Sequence, residues 1–172
     1  MATVPDEAAR PATVEDRDLI VELAARAMAE LAPTRGGSVW RRREARPEPV
    51  AASIDTALAD AARPDGTSLM VVGTLDGVVV GYGAVRSERL RDGGLLGVVD
   101  DLYVEPDARG VGVGEAMMDR IIAWCEERGC LGVDALALPG NRGTKNFFER
   151  FGLTARAIVV HRALGPGDGA ER

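Results

Sequence analysis

The residues with the most chemical promise are a glycine run, Arg109-Gly110-Val111-Gly112-Val113-Gly114, and a pair of carboxylates just upstream, Asp100 and Asp101. Glycines ahead of a helix let the backbone approach a ligand closely. The unpaired N–H groups of the helix start, reinforced by its dipole, are then suited to a phosphate. The same run is equally a tight strand-to-helix turn that needs a flexible backbone. Two other phosphate loops do not fit. The Walker pattern needs Gly-Lys followed by Ser or Thr, and the dinucleotide fingerprint needs Gly five positions after its first, where Glu115 or Met117 stands. The two aspartates interrupt the otherwise apolar run LLGVVDDLYV, where an unpaired charge is costly. Side chains alternate along a strand, so one carboxylate can face a cleft while the other pairs elsewhere; both can also be structural, holding backbone amides or an arginine.

The elements that must position these groups follow from periodicity and turn chemistry. Thr13, with Asp16 three residues on, reads as a capping box, and Leu19, Ile20, Leu23, Ala27 and Leu31 recur at helical spacing, predicting a helix over 14–31. Residues 33–50 read as a loop or loosely held short helix around Trp40, and 50–62 as a weaker helix. Two apolar runs, 68–73 and 78–85, flank Asp76-Gly77 and predict a hairpin. A buried central strand over 95–104, a helix over 112–128, a strand over 131–138, a helix over 143–151 and a last strand over 155–164 complete the order. This is an α/β (α+β) pattern: a mixed, mostly antiparallel sheet of six or seven strands with helices on both faces. Its parallel pair, 95–104 and 131–138, places a ligand at the carboxyl ends of those strands.

The chain has 172 residues and a net charge of −6, with 46% hydrophobic and 28% charged residues. It is expected to fold as one domain over 9–164 between flexible ends at 1–8 and 165–172. The acidic balance argues against nucleic acid or an anionic membrane as partner. Two cysteines, Cys125 and Cys130, and one histidine, His161, argue against a disulfide framework and a metal centre. The cysteines read as core and turn residues, and His161 as a strand residue. With no apolar run near the roughly 18 residues of a membrane span and no signal-like start, a cytoplasmic location is expected. The run Trp40 to Arg46 reads as a solvated face or as a contact to a substrate.

At this point the sequence resembles the GNAT superfamily of N-acyltransferases over about residues 10–164. The resemblance rests on Arg109, Gly112 and Gly114 at the head of a helix, preceded by DDLYVEPDARG. It rests also on Asn141, Thr144, Phe147, Phe148, Glu149, Gly152 and Leu153 at the spacing of a second family element. It implies the GNAT fold and acetyl-coenzyme A as cosubstrate, with no metal. The backbone of Arg109, Gly110, Val111, Gly112, Val113, Gly114 and Glu115 would hold the pyrophosphate. Leu102 and Val104 would pair with the pantetheine like an added strand, the Val104 N–H polarising the thioester carbonyl. Asn141 and Phe148 would complete the coenzyme site.

The implied reaction is direct attack on the thioester by a primary amine of a small molecule or a peptide. That amine must lose a proton before or during attack. Asp101 is the expected base or amine anchor, Asp100 the second choice, and Glu105 can act through water. Many family members carry Tyr where Phe148 stands, and Phe offers no proton to a departing thiolate. Tyr103, Tyr82 or water must then supply it. The same departure leaves room for an acyl-coenzyme A-binding or regulatory protein without transferase activity. A homodimer is compatible with the family, but no sequence feature sets its interface.

Overall fold

Asp76 and Gly77 both take positive φ, 50° and 79°, which suits a two-residue hairpin turn. They join β2 (Ser68–Leu75) to β3 (Val78–Arg89), as the sequence predicts. The computed structural model describes residues 6–164. Around this hairpin a sheet assembles in the order β1-β2-β3-β4-β5, with β1 at Glu7–Pro11, β4 at Leu95–Val104 and β5 at Cys130–Ala135. The first four strands are antiparallel and β4 and β5 are parallel.

Helices cover both faces. α1 (Arg17–Leu31) and α3 (Val50–Ala61) close one side, where Ile20, Leu23 and Ile54 bury themselves against Met70, Val72, Tyr82 and Tyr103. α4 (Val113–Glu127) closes the other, with Met117, Met118 and Ile121 on Val71, Val85 and Val99. Glycines set how closely α4 lies. A Cβ on Gly73 would stand 2.5 Å from Val113 Cγ1, and one on Gly97 would stand 2.5 Å from Cys125 Sγ. The short α2 (Gly37–Arg43) forms inside 33–50, the segment read as a loop or a loosely held short helix, and α5 (Arg142–Arg150) follows β5.

Four expectations change. The described residues hold five strands, not six or seven. The run 155–164 forms neither helix nor strand, and its side chains are exposed, because β-branched composition makes a strand only where a neighbour accepts its hydrogen bonds. The parallel strand read as 131–138 ends at Ala135. At the amino end, Glu7 and Ala8 belong to β1, so the strand begins inside the segment expected to be flexible. Residues 1–5 and 165–172 lie outside the described residues.

The predicted capping box takes part in a larger joint. The Thr13 N–H donates to Asp16 Oδ2 at 2.9 Å, and Arg10 of β1 grips the same carboxylate with two bonds of 2.7 and 2.8 Å. A single 3-10 turn over Val14–Asp16 therefore precedes α1. The hydrogen bond from Arg10 is the main cause that holds the Asp16 carboxyl below its ordinary pKa. A carboxylate depressed in the folded state stabilises above its unfolded pKa and loses that contribution as pH falls. Asp16→Asn is accordingly expected to lower stability by about 1.5–3 kcal/mol near neutral pH. Urea melts of the two proteins should converge as the pH drops below the carboxylate range; a gap that persists there refutes the role given to the charge.

Candidate active site

β4 changes partners along its length. Its bonds to β5 run from Leu95, paired with Cys130, to Val99, paired with Ala135, and stop there. From Asp100 to Val104 the strand remains bonded only to β3, so a gap opens between the two parallel strands at their carboxyl ends. On the β3 side the register jumps from Ala84 opposite Asp101 to Val85 opposite Val99, which leaves Asp100 as an extra residue, a bulge.

Backbone polarity in the gap follows from alternation. The Glu105 N–H donates to Val80 O at 2.8 Å, toward β3. Neighbouring residues in a strand turn their polar groups to opposite sides, so those of Val104 and Leu102 turn into the gap. Arg109 confirms the direction for Val104: its Nε donates to Val104 O at 2.8 Å. The Val104 carbonyl is thus engaged while its N–H faces the opening.

The glycine turn sits at the mouth of this gap. Gly110 and Gly112 adopt φ of 79° and 101°, a region that strongly favours glycine. Gly112 caps α4, and the Ala116 N–H is bonded to Gly112 O. The amides of Val113, Gly114 and Glu115 precede that first helical bond. Nothing would lie within 4 Å of a Cβ on Gly110, whereas one on Gly112 would stand 2.9 Å from Glu7 Cγ and 3.2 Å from Glu7 Oε1. An acidic side chain of β1 therefore borders the helix start, a neighbour that sequence spacing cannot reveal.

The expected coenzyme residues divide. Asn141 caps α5, its side chain accepting from the Thr144 N–H at 3.2 Å, beside a hollow of about 160 Å³ lined by 137–142 and Lys145. The Glu115 side chain pairs with Arg150 at 3.1 Å. Phe148 is buried in the core cluster that α4 covers, edge-on to Phe147. Phe147 instead packs close to Gly114, its ring 3.3 Å from where a Cβ would be.

The candidate acid–base residues share the α1 and α3 face. Asp101 Oδ2 approaches Arg46 Nε to 2.7 Å, with side chains only 15% and 11% exposed, although the two atoms are not aligned as a hydrogen bond. Burial raises the Asp101 pKa, opposed by the Arg46 charge and by Tyr82. Arg46 also donates to Ser53 Oγ of α3 at 3.2 Å. Asp100 is paired with Arg86 at 3.2 Å, and burial raises its pKa too. Tyr82 is buried, and burial followed by the Asp101 charge raises its hydroxyl pKa well above the ordinary value. Tyr103 hydrogen-bonds Glu105 Oε2 at 3.4 Å, its hydroxyl pKa raised first by burial and then by Glu105 and Glu30. Glu105 also pairs with Arg26, and Arg109 reaches Glu30 at 2.8 Å while lying over the Tyr103 ring. Arg26 and Glu30 escape a motif search. Their signal is the i, i+4 spacing on α1, which puts both side chains on one face.

Burial pushes the Cys125 thiol up to about 12, consistent with a core residue. Among the described residues no group of three or more His, Cys, Asp or Glu could hold a metal ion, and no helix is long and apolar enough to cross a membrane.

The sequence profile of the acetyltransferase (GNAT) family matches residues 28–153. A 61-residue stretch is 30% identical to an uncharacterized N-acetyltransferase of Methanocaldococcus jannaschii, covering 36% of this chain and 27% of that protein. The match thus spans about a quarter of that relative's length. Two solved structures share the fold. One is AAC(6')-Iy in complex with the bisubstrate analogue CoA-S-monomethyl-acetylneamine, with TM-score 0.68, 15% identity and coverage of 94% of this chain and 99% of that one. The other is glucosamine-6-phosphate N-acetyltransferase from Arabidopsis thaliana, with TM-score 0.65, 18% identity and coverage of 93% and 99%.

The Arg46–Asp101 pair yields a direct expectation. Arg46→Met strands a buried carboxylate and should cost about 3–5 kcal/mol at neutral pH, while R46M/D101L should recover most of that loss. Without Arg46, burial acts unopposed by its charge on the Asp101 pKa. The folded state then holds a proton that the unfolded state releases, so the single variant should regain stability as pH falls. Urea melts across pH would detect this; a pH-independent deficit contradicts it.

Proposed function

The chain belongs to the acetyltransferase (GNAT) family, and from that premise we propose that it moves an acetyl group from acetyl-coenzyme A to a primary amine of a small molecule or peptide, by direct attack. The observation that carries this reading is the gap after Val99 and Ala135, with β4 backbone unpaired with β5 on one side and the glycine turn at its end. The residues present fit the coenzyme: glycine backbone and helix-start amides can face a pyrophosphate, and a free strand edge can accept a pantetheine arm. Bound there, acetyl-coenzyme A would supply an acyl group activated as a thioester.

The chain's own groups divide the remaining work. Amides from Gly110 to Glu115 bind phosphate oxygens, whereas the Arg109 N–H, expected to join them, donates to Pro106 O at 3.3 Å. The main chain of Leu102 and Val104 orients the arm, and the Val104 N–H donates to the thioester carbonyl oxygen as negative charge builds there. Asn141 borders the same arm. Glu30 and Glu105 flank the Arg109 and Tyr103 side chains at the mouth, and because Glu30 is paired with Arg109 and Glu105 with Arg26, an amine that enters here displaces Arg26 from Glu105. Glu105 accepts the amine proton, directly or through a water, and Tyr103 is the hydroxyl placed to return a proton to the thiolate. Asp101, held by Arg46, positions the segment between α2 and α3 that walls the acceptor side. Serving as base itself would require it to part from Arg46.

A second reading, coenzyme binding without transfer, draws on one observation: Phe148 lacks a hydroxyl and its ring is in the core. Release of free thiol from acetyl-coenzyme A across a panel of amines separates the two. Silence with intact coenzyme binding would favour the second reading.

Glu105→Gln should lower kcat by about a hundredfold with coenzyme affinity unchanged. Asp101→Asn should act mainly on acceptor KM and stability. The reverse pattern, with kcat and its pH profile altered only by Asp101→Asn, returns the base role to Asp101. Glu7→Gln removes a carboxylate from the α4 start and should tighten coenzyme A binding severalfold at low salt, with less gain at high salt. Gly112→Leu, which meets Glu7 and forces a strained φ, should weaken binding by at least about tenfold. Calorimetry showing unchanged affinity in both variants would remove the phosphate-loop assignment.

A further inference from the structure

The segment around α2, open from sequence to either a solvated or a substrate-contacting reading, bridges the two walls of the gap. Its start lies on the β5 side. A Cβ on Gly36 would stand 3.5 Å from Pro139 Cδ and 3.6 Å from Leu138 Cδ2, in the loop that follows Ala135. Its end lies on the β4 side, where Arg46 Nε meets Asp101 Oδ2 at 2.7 Å. Residues 36–46, with α2 between those two contacts, therefore form a strap across the opening between the parallel strands.

The strap is cationic in a chain of net charge −6. From Arg35 to Arg46 it carries five arginines and one acid, Glu44. Arg41 pairs with Glu48 at 2.6 Å, Arg43 with Glu44 at 3.4 Å and Arg46 with Asp101. Arg35 and Arg42 are exposed, and among the described residues neither has an acid or a hydrogen-bond partner. The carboxylates around the opening are already taken: Asp100 by Arg86, Glu105 by Arg26 and Glu30 by Arg109. An amine that reaches Glu105 displaces Arg26 and so frees one more guanidinium. Arg46 adds unused donors. Of the five N–H donors of a guanidinium, it places one on Ser53 Oγ, and its buried Nε has no hydrogen-bond partner. An acceptor with only positive charge would add to a surplus that already stands there, whereas one that brings an anion neutralises it.

We propose that the amine acceptor also carries an anionic group, a carboxylate or a phosphate, and that Arg35 and Arg42 of the strap bind that group. This inference deepens the transfer reading and rests on it. The chemistry of the two sides matches, because a guanidinium donates two parallel N–H bonds to either anion. The glycine turn, proposed to hold the pyrophosphate, is a different element. The anion of the acceptor and that of the coenzyme therefore do not compete for one set of donors.

The test compares thiol release from acetyl-coenzyme A with ethanolamine, O-phosphoethanolamine, β-alanine and 1,3-diaminopropane, small amines that differ in the charge at the far end. kcat/KM should be at least about tenfold higher for O-phosphoethanolamine or β-alanine than for ethanolamine, and lowest for 1,3-diaminopropane. Which of the two anionic amines leads distinguishes phosphate from carboxylate. A preference for the neutral or the dicationic amine overturns the proposal, and so does an anionic preference that survives in R35Q/R42Q, which should collapse it. Calorimetry at saturating coenzyme A tells a failure of this inference from a failure of transfer. Tighter binding of an anionic amine than of ethanolamine without any thiol release removes transfer and retains the anion site. Turnover without preference, or no binding of either anionic amine, removes the anion site. If R35Q/R42Q instead weakens coenzyme A itself, the arginines serve the coenzyme and the proposal falls.

Discussion

The candidate site in this fold depends on one broken pairing. β4 and β5 are bonded only as far as Val99 and Ala135, and beyond that point β4 is held by β3 alone. A strand normally spends its backbone hydrogen bonds on both neighbours. Here Asp100 to Val104 hold one side in reserve, and the Asp100 bulge twists the strand where that reserve begins. The glycine turn, α4 and the α1 carboxylates are arranged around the resulting opening. A β5 that stayed bonded to Val104 would leave the same side chains with no cleft to serve.

Much of this was legible from local chemistry. Asp76-Gly77 specifies its hairpin through the positive φ that both residues adopt, and the glycines ahead of α4 announce a turn of left-handed backbone. What escaped the sequence is long-range. Nothing near Asp101 in the chain points to Arg46, 55 positions upstream, because an ion pair across elements has no period. The bulge at Asp100 shifts register by one residue without altering the apolar pattern around it. Phe148 matched a family position by spacing, yet a helix of α5's length turns adjacent aromatics to different sides, and Phe148 went to the core while Phe147 met Gly114. The last run has the composition of a strand, but a strand is a relation between two stretches of backbone, and the sequence names only one of them.

The electrostatics explain why the net charge says little about the pocket. Arginines reach carboxylates across elements: Arg10 with Asp16, Arg17 with Asp55, Arg26 with Glu105, Arg46 with Asp101, Arg86 with Asp100 and Arg109 with Glu30. Most of these pairs are partly exposed and contribute little to stability individually. Their value is positional. The Arg46 pair alone is nearly dry, and it joins β4 to the segment between α2 and α3, with Ser53 of α3 on the same guanidinium. The side of the cleft proposed for the acceptor is therefore built from side chains borne on three separate elements.

The side proposed for the coenzyme is built differently, from amides and glycines, and this asymmetry has an evolutionary consequence. A contact made by the peptide group persists through almost any substitution that keeps the backbone path. A contact made by a side chain is lost with one codon. The half of the cleft formed by β4 backbone and the Gly110–Gly112 turn can therefore stay fixed while the residues around it drift. That is a physical reason for folds of this type to superpose over more than nine-tenths of their length at 15–18% identity. Lineages can exchange one acceptor for another by rewriting α1 and the segment around Arg46, with the donor end inherited intact.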